Sequence, residues 1–272
     1  MTHRVLLPTL AAVGALTAGC FPAQIHLGRL GPDRILTDDE IRKADQKIIE
    51  ADKMWALRAD PAKAEKALDL LRESLQVAPH NTQALWRAAR VSYWMAERAG
   101  HAKDEKKQLE QADIGITYAK HAIFVDTQSA EGNYYLGLNY AMHADASKST
   151  GLSLVKPMLN ALKRSNELDD ELDYGGARRV MGQIYMSAPS WPTSVGDVDQ
   201  AIELLEDVVE DFADYPENHL VLAQAYDKAH KYSDARKQLN LVLAAQPAPD
   251  WAAELPEWQE HARTLQKKMP LQ

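Results

Sequence analysis

Residues 216–247 read PENHLVLAQAYDKAHKYSDARKQLNLVLAAQP, and this stretch decides the fold. Ala223 and Tyr226 stand three apart; Ala235 follows nine on, Leu239 four after that, then Val242 after three and Pro247 after five. Steps of three and four return a residue to the same face of a helix. The stretch therefore holds two helices, each with one face of small and large apolar residues.

The same spacing recurs along the chain, as an internal repeat does. Gly182 and Tyr185 open a second unit, continued by Ala201, Leu205 and Val208. Gly137 and Tyr140 open a third, continued by Leu162, Ser165 and Asp170. Ala89 opens a fourth, whose second helix carries Gly115, Ala119 and Ala122, and Ala67, Leu71, Ser74 and Pro79 are the second helix of a degenerate first unit. The pattern resembles the tetratricopeptide repeat: small residues where paired helices touch, large ones between pairs, and a closing proline. The expectation is an all-α tetratricopeptide solenoid of about five helix pairs over residues 37–249. A capping helix and tail follow over 250–272, the helix started or interrupted at Pro256. Thr37 with Glu40 forms a capping box for the first helix, and Asp60-Pro61 opens the second.

Three units are longer than the last. Tyr226 to Ala235 is nine residues, but Ser92 to Gly115 is 23, Tyr140 to Met158 is 18 and Tyr185 to Ala201 is 16. The surplus falls at the turn inside each pair, in AGHAKDEKKQLEQAD, MHADASKSTGLSLVKP and APSWPTSVGD. Two readings stand: longer helices with tolerated insertions, or extended loops gathered on one edge as a docking surface bearing Trp191.

The N-terminus carries a different signal. Residues 1–19 have one arginine, Arg4, then an uncharged run to Ala18, which is the layout of a secretory leader. Leu16-Thr17-Ala18-Gly19-Cys20 resembles a bacterial lipobox with Thr17 where leucine is usual, so Cys20, the chain's single cysteine, is the expected lipidation site. In a Gram-negative cell Phe21 after that cysteine favours the outer membrane, with the body on its periplasmic face. Residues 20–36, rich in Pro and Gly, form the tether.

The 272 residues carry a net charge of −8, which disfavours nucleic acid as a partner. One cysteine excludes a disulfide framework and any cysteine-based zinc site. No metal, cofactor or catalytic motif is legible, so no enzyme is expected. His143 beside Asp145, and His219 near Glu217, are weak base-and-orienter pairs without a nucleophile. The chemistry lies instead on first helices, whose groove-facing positions include Trp86, Arg90, Tyr93, Tyr134, Arg179 and Gln183. Arginine forks take carboxylates or phosphates, and Trp and Tyr offer apolar surface with a polar edge. Such a groove suits a peptide bearing a carboxylate, or an amphiphilic organic acid.

A narrower resemblance rests on Tyr174-Gly175-Gly176, Met181-Gly182-Gln183-Ile184-Tyr185, Ala188-Pro189-Ser190-Trp191-Pro192 with Val195-Gly196-Asp197, and Asp214-Tyr215-Pro216-Glu217-Asn218. These are similar to the T-component family of TRAP transporters, over roughly residues 80–245. The resemblance implies a periplasmic lipoprotein, trimerisation, and work beside a solute-binding protein that captures small organic or apolar acids. The expected function is a membrane-tethered protein-interaction scaffold, with the solute-handling accessory subunit as the alternative.

Overall fold

The computed structural model describes residues 35–147 and 151–270, so Cys20, the leader and most of the tether lie outside it. The described residues form eleven helices: α1 (Asp38–Trp55), α2 (Pro61–Val77), α3 (Thr82–His101), α4 (Glu105–Val125), α5 (Ala130–Ala146), α6 (Gly151–Leu168), α7 (Gly176–Ser187), α8 (Val198–Asp211), α9 (Pro216–Lys228), α10 (Tyr232–Ala244) and α11 (Leu255–Lys268). They pair as α1–α2, α3–α4, α5–α6, α7–α8 and α9–α10, with α11 packed on the last pair. This is the expected all-α tetratricopeptide-type solenoid.

Local chemistry starts each helix where the sequence indicates. Thr37 and Glu40 form the capping box of α1. Asp60, Asn81, Asp104, Ser129 and Asp197 accept from backbone N–H groups at the starts of α2, α3, α4, α5 and α8. Such caps satisfy donors that the helix itself leaves free.

The register holds the pairs together. Leu71, Ala119, Leu162, Leu205 and Leu239 occupy one repeat position on the five second helices, and all are buried. In two of the pairs the partner residue is a glycine. A Cβ added at Gly137 would lie 2.7 Å from Leu162 Cγ, and one at Gly182 would lie 2.7 Å from Leu205 Cγ. Three residues on, Ser74 Oγ donates to the Ala44 carbonyl at 2.9 Å and Ser165 Oγ to the Ala130 carbonyl at 3.0 Å. One hydrogen bond therefore recurs at one register position in two repeats.

The first long segment is not a loop. In the short α9–α10 turn, N–H of Ala229, His230 and Lys231 donate to the carbonyls of Ala225, Asp227 and Tyr226, with His230 at φ 60. In the α3–α4 turn, N–H of Ala102, Lys103 and Asp104 donate to Arg98, Gly100 and Ala99, with Lys103 at φ 60. The two turns are the same turn. It begins seven residues further along in α3–α4 than in α9–α10, and Gly115 follows Asp104 by eleven residues where Ala235 follows Lys231 by four. Each helix has gained seven residues, two helical turns or roughly 10 Å, which keeps its packing face in phase. Of the second segment, residues 142–146 lie in α5 and 151–157 in α6, and among the described residues of the three segments 188–197 form the one extended loop. Among the described residues the three-loop edge is thereby corrected to one loop, on which Trp191 is 85% exposed.

Gly115 tests the packing. Its Cβ would fall 1.9 Å from Oδ1 of Asn139, a buried side chain that donates to the carbonyls of Ala89 and Tyr135. Gly→Ala inside an open helix gains about 1 kcal/mol. Here Gly115→Ala is expected to lose about 2 kcal/mol by urea unfolding, because the side chain it strikes cannot yield.

Candidate functional site

The helix pairs curve until the two ends of the solenoid meet. Arg58, after α1, donates through Nε and Nη2 to the two oxygens of Glu254 at 2.6 and 2.7 Å, and through Nη2 to the Asp250 carbonyl at 2.9 Å. Arg98 pairs with Glu257, and His101 Nδ1 lies 2.8 Å from the same carboxylate. Both Arg98 and His101 stand on the seven-residue extension of α3, which is long enough to reach α11 for that reason. From the other side, Tyr174 donates to Asp250 at 2.6 Å, and Trp251 meets Tyr174 and Tyr215 edge-on.

The concave face therefore holds a cavity of about 740 Å³, whose lining includes Pro249, Asp250, Glu254, Glu257, Trp258 and His261 from the C-terminal segment. That size falls in the range of small-molecule sites. Arg90, Tyr93, Tyr134, Arg179 and Gln183 all line it, brought together from α3, α5 and α7. Trp86 does not. It stacks on Tyr135 with ring centroids 6.1 Å apart and lies beneath the guanidinium groups of Arg87 and Arg90, so it backs the wall.

Arg179 differs from its sequence reading as a groove residue free to take a carboxylate. It is 3% exposed and already holds two carboxylates, Asp173 Oδ2 at 2.5 Å and Glu217 Oε2 at 3.1 Å. Its Nη1 also donates to Asn218 Oδ1 at 3.0 Å and to the Asp173 carbonyl at 2.9 Å. This web fixes an unusual backbone: Asp173, Tyr174 and Gly175 have φ of 52, 56 and 74 in succession. Two of them are non-glycine residues in the left-handed region, an arrangement that persists only when the surroundings over-determine it. Asn218 Nδ2 donates to the Tyr174 carbonyl and Tyr134 Oη to Asp173, completing the hold.

The charges are uneven. Seven carboxylates line the cavity against five arginines among the described residues. Burial pushes Glu217 up to about 7; Arg179 pulls it down, and Asp173, Glu97 and Glu254 push it further up. Burial also works against the charge of Arg90, whose buried Nε has no hydrogen-bond partner. Tyr134 and Tyr215 are pushed well above the usual phenol range, chiefly by burial, and so stay neutral donors.

The two histidine pairs take other partners. His143 Nδ1 meets Asp113 at 2.8 Å, while Asp145 accepts from Gln108. His219 uses its nitrogens on Gln238 and the Ala213 carbonyl, both at 2.6 Å. Trp55, Arg58, Asp173, Glu254 and Trp258 line the cavity without any sequence signal of their own, except that Asp173 precedes the Gly175-Gly176 pair; Glu217, marked in the sequence only by a motif and by its nearness to His219, lines it too. Among the described residues no helix is long and apolar enough to cross a membrane, and no group of three or more His, Cys, Asp or Glu is placed to hold a metal.

Comparison with known proteins agrees with this architecture. A family described as "Tetratricopeptide repeat" matches residues 194–254, and one described as "Regulator of microtubule dynamics protein 1-3" matches residues 48–151. No curated protein matches. Among solved structures, a thermophilic TPR protein of Thermus thermophilus is 17% identical over 82% of this chain and 98% of its own, with TM-score 0.58. A MamA protein is 17% identical over 85% and 98%, with TM-score 0.45. YrrB, described as a TPR protein with an unusual peptide-binding site, is 16% identical over 85% and 94%, with TM-score 0.44. The first of these shows the fold; the narrower likeness to the T-component family rests on the sequence motifs alone.

Two outcomes are expected. Removing one partner of a buried ion pair leaves the other uncompensated, typically about 3 kcal/mol or more. Arg58→Ala should therefore release residues 249–268 to fast amide hydrogen exchange while α5 to α8 stay protected. The second concerns pH. Unfolded, Glu217 loses its proton near 4.5; folded, it keeps it to about 7. Between those values the unfolded chain binds fewer protons, so stability falls as pH rises, by about 3 kcal/mol from this group. Glu217→Gln should flatten the wild-type slope in that window by this amount, measured by urea unfolding at stepped pH.

Proposed function

We propose that this chain is a lipid-anchored protein of a bacterial envelope, held through Cys20 to the periplasmic face of the outer membrane and serving as a protein-interaction scaffold. The fold supports it, since tetratricopeptide-type solenoids are built as binding surfaces. The observation that carries it is the loop of residues 188–197. Among the described residues it is the one extended loop of the three long segments, and it presents Trp191 bare at the solenoid edge. Exposed tryptophans of this kind are frequent anchors of protein interfaces. With residues 249–261 across the concave face, partners meet this edge rather than thread the groove.

The cavity favours a second reading, the solute-handling accessory subunit of a TRAP-type transporter. Side chains from three repeats converge on a volume suited to a small molecule rather than to an extended chain. In this reading the edge docks a solute-binding protein and the cavity receives the solute.

The test uses the full-length chain in a Gram-negative host. Cys20→Ala should abolish palmitate incorporation and move the protein from the membrane pellet to the soluble periplasmic fraction. From solubilised membranes, the wild-type protein should bring down a partner that Trp191→Ala loses at unchanged melting temperature. Unlabelled Cys20, or capture indifferent to Trp191, would refute the anchor or the edge respectively.

A further inference from the structure

The cavity lining shares its ionic partners unevenly, two arginines on one carboxyl group in one place and two carboxyl groups on one arginine in another. At one end Arg87 and Arg90 share a single carboxylate. Arg87 Nε lies 3.0 and 3.1 Å from the two oxygens of Asp52, which leaves Arg90 one contact, Nη2 to Oδ1 at 3.2 Å. The Arg90 guanidinium lies 4.5 Å from the Trp55 ring centroid and 5.1 Å from that of Trp86. Stacking uses the faces of the guanidinium and leaves its N–H edge for an acceptor. Its Nε, buried and unpartnered, is the kind of donor whose desolvation is uncompensated until something accepts from it.

At the other end the sharing is reversed. Asp173 and Glu217 divide one cation, Arg179, and Glu97 and Glu254 add their fields to Glu217. The Tyr215 ring closes over Arg179, with 4.9 Å from the guanidinium carbon to the centroid. A carboxylate in excess beside tyrosine rings is a site for an ammonium group. An organic acid alone would satisfy Arg90 and leave this end unpaired.

Glu97, whose field reaches Glu217, stands seven residues from Arg90 on α3, about 10 Å along the helix axis. Three residues of extended peptide span about the same length.

We propose that the cavity binds a short zwitterion, namely a peptide of two to four residues with free termini, its carboxylate on Arg90 and its ammonium between Glu217 and Asp173. This rests on the solute-handling reading and gives that site its ligand class. Of the two sequence-based expectations, it keeps a peptide bearing a carboxylate and departs from an organic acid, because Arg179 is taken and the cavity lining holds more carboxyl groups than arginines. Ammonium binding ionises Glu217, so at pH 6 association releases a proton.

The probes are tri-alanine, N-acetyl-tri-alanine, tri-alanine amide and the diacid suberate, titrated calorimetrically into the full-length protein at pH 6. Tri-alanine should bind, and capping either terminus should weaken it at least tenfold. Proton release, read from buffers of different ionisation enthalpy, should vanish in Glu217→Gln. Arg90→Gln should make the amide and the free acid bind alike. The capped peptides test both ends on the wild-type protein should either variant fail to fold. Capped peptides or suberate binding as tightly as tri-alanine would overturn the proposal, as would no binding at millimolar concentration by di-, tri- or tetra-alanine. Native mass spectrometry of gently purified protein separates the two failures. A bound non-zwitterion overturns the ligand class and keeps the solute-handling reading; empty protein together with inert peptides overturns both.

Discussion

A leucine seated on a residue too small to push it away is the contact on which the whole molecule depends. Leu162 over Gly137 and Leu205 over Gly182 bring paired helices to backbone distance, and the same register places Leu239 near Ala223. Because the pairs share this register, each presents the same face to the next, and small rotations accumulate into a curve. Curvature then sets what the chain can do, since a sufficiently curved solenoid brings its first and last elements within reach of each other.

Closure is made by charge. Arg58 meets Glu254, and Arg98 and His101 meet Glu257, across sequence separations of more than 150 residues. The lengthened α3–α4 pair is the device that permits it. Seven residues on each helix preserve the packing face and extend the wall until its end meets α11. An insertion out of phase with the helical period would have rotated Arg98 away from the cap. A feature that the sequence leaves open between longer helices and a loop is structurally a longer strut.

Inside, electrostatics and strain support one another. Arg179 is held by Asp173, Glu217 and Asn218, and in return it pins the left-handed run at Asp173 and Tyr174. Buried ionic groups seldom add net stability over apolar ones of equal volume. What this cluster supplies is a fixed position for two carboxylates at one end of a cavity whose other end is cationic. The pairing pattern, one acid between two arginines and one arginine between two acids, makes the cavity bipolar.

Spacing in the sequence determined the repeats: Ala223, Tyr226, Ala235 and Leu239 define a register that buried contacts then repeat from α2 to α10, because helical period and residue size are local properties. It also placed Arg90, Tyr93, Tyr134, Arg179 and Gln183 on one inward surface. Tertiary structure alone decided that Arg179 is already occupied, that Trp86 lies behind the wall, and that residues 249–261 cross the groove. The crossing depends on summed curvature and on ion pairs more than 150 residues apart, while Arg179 is occupied because a left-handed turn returns Asp173, six residues before it, and packing brings in Glu217 from α9. The surplus residues at 99–113 show the boundary plainly, since their number was legible but their conformation was settled by a turn identical to that of α9–α10 and by the helix waiting opposite.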